Sequence, residues 1–364
     1  AIYPDIYGTK ELKHETARFV KNFLDVEVKD DACVPTVGSM QGSFAAFMTI
    51  ARLDEKKNKI LFIDPGFPVQ KQQCNILGID TLHFDVYDYR GEKLEAKLEE
   101  YLATGEVAAM IYSSPNNPAW FSFNEMELEI IAKVANKYDV IVLEDLAYFG
   151  MDFRQDFSKP GVAPYQPTVA KWAKKFVLMI SGSKIFSYAG QRIAVMVISK
   201  DLFDMKTEHM KKYFTQDCFG RAIIFGSLYA LTSGTAFSPQ YALTAIFKAC
   251  NDGTYNFAEP LREYGRKAEQ MKKALVENGF KIVYDKDLDV EVADGFYFTF
   301  SYPGLTGEEL LSELAYYGIS AISLSVCRST RTEGARACVS LIPNEMIPIF
   351  AQRVKKFHED HPIK

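Results

Sequence analysis

The feature that most constrains the fold of this 364-residue chain is an alternation of short apolar runs with helical periodicity, from about residue 33 to residue 200. Segments with helical periodicity, such as Glu125–Lys137, separate the runs, and Ser122 and Glu125 have the spacing of a capping box. This alternation predicts an α/β fold with a mostly parallel sheet covered by helices on both faces. The runs predict buried strands at Ile60–Ile63, Thr81–Phe84, Ala108–Tyr112, Val140–Leu143, Phe176–Ile180 and Ile193–Ile198.

The remaining segments have a different character. Residues 1–30 predict a turn and then an amphipathic helix from about Thr9 to Phe23, and residues from about 200 to 280 are mostly helical. Beyond them, strands and helices mix, near Gly295–Phe300, Glu308–Tyr317, Arg336–Leu341 and Glu345–His358. We therefore predict a large domain over residues 31–250. A smaller, discontinuous α+β domain is predicted from both chain ends, residues 1–30 and 251–364.

Composition and charge exclude several classes of protein. The chain is 48% hydrophobic and 24% charged, which is ordinary for a soluble globular protein, and a net charge of −5 argues against nucleic acid as a main partner. No apolar run reaches the roughly 18 residues that span a bilayer, and no signal pattern begins the chain. The 6 cysteines and 5 histidines show no metal-ligand spacing. We predict a cytoplasmic protein with reduced, buried thiols and no metal site.

A candidate catalytic lysine follows one of the predicted strands. That strand ends in Ser181-Gly182-Ser183-Lys184, and Arg192 follows eight residues later. Open α/β folds place their ligands at the carboxyl ends of strands. A lysine there can lose its proton and form an imine with a carbonyl, while serines and an arginine suit a phosphate. The segment therefore predicts a lysine that holds pyridoxal phosphate covalently.

Two other polar residues follow predicted strands. Asp145 ends a buried run, where an unpaired carboxylate is unfavourable, and a protonated pyridine nitrogen would be a suitable partner. The alternative is an N-cap for the next helix. Asn117, in the segment Ser114-Pro115-Asn116-Asn117-Pro118, could donate to a ring hydroxylate, or it could serve turn chemistry alone.

Each of three further motifs has both a functional and a structural interpretation when it is considered alone. The turn Gly38-Ser39-Met40-Gln41-Gly42 could bind a phosphate or merely start a helix, and it lacks both P-loop and GxGxxG spacing. Phe67, after a strand, could stack on a planar cofactor or pack in the core. The last motif is a group of arginines that could bind a carboxylate, although a surface salt bridge is favoured for the first two: Arg328, Arg331 and Arg336.

In this order, the motifs resemble those of fold-type I pyridoxal-phosphate-dependent aminotransferases (class I/II, the aspartate aminotransferase superfamily). The resemblance runs from Tyr3 to about Leu341, and the SxSK…R and DxAY motifs are its most specific parts. It implies that Lys184 forms the internal aldimine and then moves the proton between Cα and C4′. It also implies that Asp145 pairs with the pyridinium nitrogen, and that Tyr148 and Asn117 hydrogen-bond the phenolic oxygen.

The resemblance further implies the remaining contacts. Phe67 would stack on the cofactor ring, and Arg336, with Asn117, would bind the substrate carboxylate. Tyr3 would reach the phosphate of a partner subunit, which implies a homodimer with shared active sites. The phosphate ligands implied within the chain are Ser39, Ser181, Ser183 and Arg192, with Gly38 and Met40 close by through their backbone.

Two departures from the family pattern concern the substrate. The usual Thr-Gly after Asn-Asn-Pro is here Ala119-Trp120, which alters the loop and reshapes the pocket. No clear second arginine is present for a side-chain carboxylate, with Arg221 as the remaining candidate. We predict an aminotransferase that moves an amino group between a 2-oxo acid and a neutral or aromatic, rather than dicarboxylic, amino acid. The alternative is a C–S β-lyase or a decarboxylase that uses the same cofactor and fold.

Other classes fit less well. Ser181-Gly182-Ser183-Lys184 also matches the S-x-x-K motif of penicillin-binding serine hydrolases, but the partner tripeptides SDN and KTG do not occur. The joint presence of Lys184, Asp145 and Arg336 favours an enzyme over an aminotransferase-like binding domain.

Overall fold

The computed structural model describes residue 3 and residues 5–363. Its strands are β1 (Cys33–Thr36), β2 (Lys59–Asp64), β3 (Thr81–Asp85), β4 (Val107–Ser113), β5 (Ile141–Asp145), β6 (Phe176–Ser181), β7 (Ala194–Ile198), β8 (Lys281–Ile282), β9 (Lys286–Asp287), β10 (Val290–Glu291), β11 (Tyr297–Ser301), β12 (Ile322–Ser323) and β13 (Gly334–Cys338). Its helices are α1 (Lys10–Leu24), α2 (Gly38–Ile50), α3 (Pro68–Leu77), α4 (Lys93–Leu102), α5 (Glu125–Lys137), α6 (Gly182–Ile185), α7 (Lys200–Phe203), α8 (Phe219–Arg221), α9 (Tyr229–Thr232), α10 (Phe237–Asn251), α11 (Ala258–Glu277), α12 (Gly307–Tyr316) and α13 (Ile347–Asp360). Residues Ala222–Leu228 form a π-helix between α8 and α9.

The large sheet has seven strands in the order β1-β7-β6-β5-β4-β2-β3. Strand β7 is antiparallel to both of its neighbours, and the other neighbouring strands are parallel. The predicted α/β fold with a mostly parallel sheet is therefore confirmed, and the six predicted strands coincide with β2 to β7 within two residues at each end. The direction of β7 was not predicted, because an apolar run carries no information on strand polarity.

Strand β1 was not among the predicted strands. It has only four residues, one of which is Pro35, and it pairs with β7 at the edge of the sheet. Proline lacks the N–H that a central strand needs on both sides, so it is confined to positions such as this edge. A short run interrupted by proline gives little sequence signal for a strand.

Helix α5 begins at the predicted residue, but the predicted capping box is wrong. The N-cap is Asn124, whose side-chain oxygen accepts the backbone N–H of Glu127 at 2.9 Å. The Glu127 carboxylate in turn accepts the N–H of Asn124 at 3.2 Å. The same carboxylate is buried and accepts a hydrogen bond from Nε of Arg90 at 2.7 Å. The box therefore lies two residues after Ser122 and Glu125.

The smaller sheet is antiparallel, in the order β12-β13-β11-β8. Phe298 and Phe300 of β11 face a separate hydrophobic core with Ala337 of β13. Side chains alternate along a strand, so Tyr297 and Arg336 lie on the opposite face, and Tyr297 packs in the core of the large sheet. The small sheet thus presents one face to the carboxyl ends of the large sheet's strands.

Helix α1 packs along α10, and Phe19 of α1 packs against four rings beyond residue 30, of which Phe247 and Phe149 are the nearest. Its ring centroid lies 4.6 Å from that of Phe247 and 5.2 Å from that of Phe149. The domain boundaries at residues 30 and 250 stay a prediction.

The six cysteines are free thiols, and four of them are buried as predicted, whereas Cys218 is half-buried and Cys338 is exposed. Among the described residues, no helix is long and apolar enough to cross a membrane. The same residues contain no group of three or more His, Cys, Asp or Glu side chains that could hold a metal ion.

Candidate active site

Most of the predicted site residues line one cavity at the carboxyl edge of the large sheet. Strands β2, β4, β5 and β6 are parallel neighbours, so the loops that follow them meet at one edge. The cavity has a volume of about 180 Å³. The sequence-predicted residues that line it are Ser39, Met40, Phe67, Asn117, Asp145, Tyr148, Ser181, Ser183, Lys184 and Arg192.

One end of the cavity is built for an anion. Gly38 has φ = +70°, in the left-handed region, and a Cβ there would lie 2.5 Å from Nη2 of Arg192. The absence of a side chain therefore lets the guanidinium approach the first turn of α2, whose N–H groups favour negative charge. Ser39 Oγ is inaccessible to solvent and has no hydrogen-bond partner among the described residues. The turn both starts a helix and lines the cavity.

Lys184 lies in the short helix α6, directly after β6. Ser181 caps this helix, because its Oγ accepts the backbone N–H of Ser183 at 3.1 Å. Lys184 Nζ lies 4.8 Å from the centre of the Phe296 ring. Burial lowers the pKa of the Lys184 ammonium, and the positive charges of Arg336 and Arg192 lower it further, against an opposing contribution from Cys338. These surroundings favour the neutral amine, which is the nucleophilic form.

Asp145 is the last residue of β5 and is 8% exposed. Its Oδ1 accepts the N–H of Ala147 at 3.1 Å, and its Oδ2 accepts a hydrogen bond from Nε2 of Gln70 at 3.0 Å. Burial raises its pKa to about 6, although both hydrogen bonds lower it. The carboxylate caps a turn, since no helix starts there, and it also faces the cavity.

The two asparagines after β4 have separate tasks. Asn116 supports the loop, because its Nδ2 donates to the carbonyl of Pro65 at 2.9 Å and its Oδ1 accepts the N–H of Ala119 at 3.0 Å. Asn117 points to the cavity, where its Nδ2 donates to the hydroxyl of Tyr148 at 3.3 Å. Turn chemistry therefore explains the first asparagine and does not account for the second.

Arg336 extends from β13 toward this group. Its Nη1 donates to Oδ1 of Asn117 at 2.9 Å, and its guanidinium carbon lies 4.3 Å from the centre of the Tyr297 ring. Its Nε is inaccessible to solvent and has no partner within the described part of the chain. An arginine held by a ring and an amide, with a donor left over, can bind a carboxylate at the cavity.

The other predicted arginines lie elsewhere. Arg331 pairs with Asp88 at 2.7 Å, which confirms the salt-bridge interpretation for that residue. Arg328 is exposed, and so is Arg221, which does not line the cavity. Tyr3 is 82% exposed and also lies outside the cavity lining, so its reach to a partner subunit stays a prediction.

Trp120, at the position where the loop departs from the family pattern, lies behind the cavity and does not line it. Its side chain is fully buried, with φ = +68°, and its ring centroid lies 5.3 Å from that of Tyr148 and 6.0 Å from that of Tyr297. Gly295 packs against the indole so closely that a Cβ there would lie 2.2 Å from Nε1. The indole therefore affects the cavity through the two tyrosines that it supports.

Sequence reasoning missed part of the lining. Tyr297, Ser113 and Ala147 also line the cavity, and Gln70 reaches Asp145 from α3. Tyr297 is the middle of three consecutive aromatic residues, Phe296, Tyr297 and Phe298, where nothing local separates a site residue from a core residue. Gln70 lies three residues after Phe67, a position that carries no signal until α3 is placed beside β5.

The fold is that of known aminotransferases. An alanine aminotransferase from Pyrococcus furiosus superposes with a TM-score of 0.79 at 18% identity, covering 99% of this chain and 84% of that one. A Thermus thermophilus aspartate aminotransferase double mutant gives 0.76 at 18% identity, covering 98% and 84%. At this identity the likeness defines the class of fold, fold type I.

Sequence comparison then gives the family. The model of the family described as aminotransferase class I and II matches residues 1–354, so the chain belongs to that family. Members of this family use pyridoxal phosphate in general. The chain is similar to the putative aminotransferase YugH of Bacillus subtilis, with 28% identity over 51% of this chain and 46% of the relative. It is also similar to the glutamate-pyruvate aminotransferase AlaC of Escherichia coli, with 29% identity over 55% and 47%. The match thus spans about half the length of these curated relatives.

Proposed function

We propose that this protein is a pyridoxal-phosphate-dependent aminotransferase. The observation that carries the proposal is the convergence on one cavity of Lys184, whose pKa is lowered, and Asp145, a buried carboxylate. Among the described residues, the hydrogen-bond partners of the Asp145 carboxylate are neutral donors, the backbone N–H of Ala147 and the side chain of Gln70. A buried carboxylate without a counter-ion is unfavourable and suits a cationic ring nitrogen.

The residues present fit the cofactor. Ser39, whose hydroxyl lacks a partner, and Arg192 would hold the phosphate with Ser181, Ser183 and the start of α2. The ring would lie between Phe67 and the strand ends, with Asp145 at its nitrogen and Tyr148 and Asn117 at its phenolic oxygen. When bound, pyridoxal phosphate supplies a carbonyl that captures amines and a ring that accepts electrons from the substrate's Cα bond.

The chain's own residues then have distinct tasks. Lys184 Nζ would hold the cofactor covalently and, as a neutral amine, would accept and carry the proton from the substrate's Cα. Arg336 binds the substrate carboxylate and so orients Cα toward that amine. Asp145 would stabilise a positive charge on the ring nitrogen and so keep the ring an electron acceptor.

For the substrate, we propose a neutral or aromatic amino acid. Lys184, Arg192 and Arg336 each have a task in binding the cofactor or the substrate backbone, and Arg221 is exposed outside the cavity. Three aromatic side chains line the cavity, Phe67, Tyr148 and Tyr297, and the first two would also contact the cofactor. Aromatic walls bind apolar side chains better than a second carboxylate.

For the assembly, we propose a homodimer with shared active sites, in which Tyr3 reaches the partner's phosphate. The exposure of Tyr3 supports this proposal, because a tyrosine that is 82% exposed has lost little water contact within its own chain. The cytoplasmic location stays a prediction.

The test of the function is a half-reaction screen on the protein reconstituted with pyridoxal phosphate. Each proteinogenic amino acid is added singly, the loss of the visible absorbance band is followed, and products are identified by mass spectrometry. We expect loss of the band with a neutral or aromatic amino acid, together with pyridoxamine phosphate and the matching 2-oxo acid. Release of pyruvate and ammonia without pyridoxamine phosphate would instead identify a β-lyase, and release of carbon dioxide a decarboxylase.

The contact between Gly38 and Arg192 gives a prediction about cofactor affinity. Gly38→Ala is expected to raise the Kd for pyridoxal phosphate about 10-fold, because the methyl group displaces Arg192 and φ = +70° is strained for alanine. Gly190→Ala is the matched control, since nothing lies within 4 Å of a Cβ there. The Kd is measured by absorbance titration. Equal affinity in the wild type and in Gly38→Ala would remove Arg192 from the phosphate site.

A further inference from the structure

We propose that Tyr297 is a positioning residue, whose hydroxyl orients the hydroxyl of Tyr148 toward the phenolic oxygen of the cofactor. This inference rests on the proposed function and adds a residue that the sequence did not point to. Tyr297 lies on β11 and is 6% exposed. The Tyr148 hydroxyl donates to the Tyr297 hydroxyl at 3.2 Å and accepts from Asn117 Nδ2 at 3.3 Å.

The donor and acceptor capacity of the two hydroxyls leads to this assignment. A tyrosine hydroxyl has one proton to donate and can also accept. In the structure, the Tyr148 hydroxyl donates its hydrogen bond to Tyr297. Tyr148 can therefore donate to a cofactor only if its O–H turns toward the cavity. Tyr297 can then donate in the opposite direction, to the oxygen of Tyr148. Such a chain of hydroxyls polarises its members and strengthens the terminal donor.

The ring of Tyr297 has a separate role. It lies 4.3 Å from the guanidinium carbon of Arg336, and Arg336 Nη1 binds Asn117 Oδ1 at 2.9 Å. Trp120 packs edge-on against the rings of both Tyr148 and Tyr297, which holds their hydroxyls within hydrogen-bond distance. Removing only the hydroxyl of Tyr297 therefore tests the donor chain and leaves the support of Arg336 in place.

The surroundings keep both hydroxyls protonated. Burial raises the pKa of Tyr148 well above its ordinary value, and burial also raises that of Tyr297. The charged and titratable groups that face the pair, and face Lys184 beside it, are Asp145, Arg192, Cys327, Arg336 and Cys338. Two neutral hydroxyls can exchange donor and acceptor roles without a change in net charge.

The experiment is a pH titration of the visible absorbance of the holoenzyme. A donor to the phenolic oxygen stabilises its negative charge and so lowers the titration midpoint of the lysine-bound cofactor. We expect Tyr297→Phe to raise this midpoint by about 0.5 unit, with little change in KM. Tyr148→Phe is expected to raise it more, and the double variant is expected to match Tyr148→Phe alone. Tyr302→Phe, which faces the small core, is the matched control with an unchanged midpoint.

The outcomes separate the possible roles. The proposal would be overturned if Tyr297→Phe left the midpoint unchanged. It would also be overturned if Tyr297→Phe shifted the midpoint as much in the Tyr148→Phe variant as it does in the wild type. A rise in KM in Tyr297→Phe as large as that in Tyr297→Leu would also overturn it, because the hydroxyl would then only hold the ring in place. A wild-type protein without covalent cofactor at Lys184 would instead refute the proposed function itself.

Discussion

Replacing Lys184 with alanine is expected to reduce the rate of transamination at least about 10⁴-fold, because one amine serves as both nucleophile and proton carrier. The side chain is partly buried at the end of β6, and burial lowers the pKa of its ammonium. No other lysine lines the cavity within the part of the chain that the structure covers. The rate is measured in single-turnover reactions with saturating cofactor.

A control and a second measurement accompany this prediction. Lys57 is another partly buried lysine whose pKa is lowered, mainly by burial, and its Nζ donates to the carbonyl of Tyr138 away from the cavity. Lys57→Ala is therefore expected to keep near wild-type turnover. Borohydride reduction should attach the cofactor to Lys184 in the wild type and to no residue in Lys184→Ala. Full turnover in Lys184→Ala would refute the assigned mechanism.

Replacing Arg336 with alanine is expected to raise KM about 100-fold for every amino-acid substrate. The guanidinium would make charge-assisted hydrogen bonds with the carboxylate that all substrates share, at about 1.5 to 3 kcal/mol each. Arg336 is not itself a lining residue, but its Nη1 contacts Asn117, which is, so the charge lies next to the cavity. Initial rates over a range of concentrations of several amino acids give KM and kcat separately.

The matched control for this variant is Arg328→Ala. Arg328 lies in the same segment of sequence but is exposed, so its loss is expected to leave KM within about 2-fold of the wild type. An increase in KM confined to one class of side chain would show that Arg336 reads the side chain and not the common carboxylate.

The sequence predicted the parts of the site that follow strands directly. Asp145 and Lys184 come at or just after the ends of buried apolar runs, and parallel strands place such ends at one edge. The direction of a strand could not be predicted in this way, because β7 would have the same apolar composition whether it ran parallel or antiparallel. Whether Cys33–Thr36 forms strand β1 also depends on its pairing at the sheet edge, since Pro35 is compatible with a strand only there.

The remaining site residues depend on tertiary contacts. Tyr297 comes to the cavity because β11 pairs with β13 in a register that places Tyr297 opposite Cys338 and Thr299 opposite Arg336. That register pairs segments about forty residues apart, and neither segment carries a local sequence signal for it. The position of the α5 cap also depends on a tertiary contact. Ser122 and Glu125 have the right spacing, but the carboxylate that closes the box belongs to Glu127, which also binds Arg90.

The close packing of Gly295 against Trp120 has a consequence for how such a site can change over evolutionary time. A Cβ at position 295 would lie 2.2 Å from the indole nitrogen, so any larger residue is compatible with the fold only if the indole is lost first. The two positions are 175 residues apart in sequence and yet are not free to vary separately. A lineage that acquires the indole is thereby held to glycine at position 295 until a smaller side chain replaces the indole.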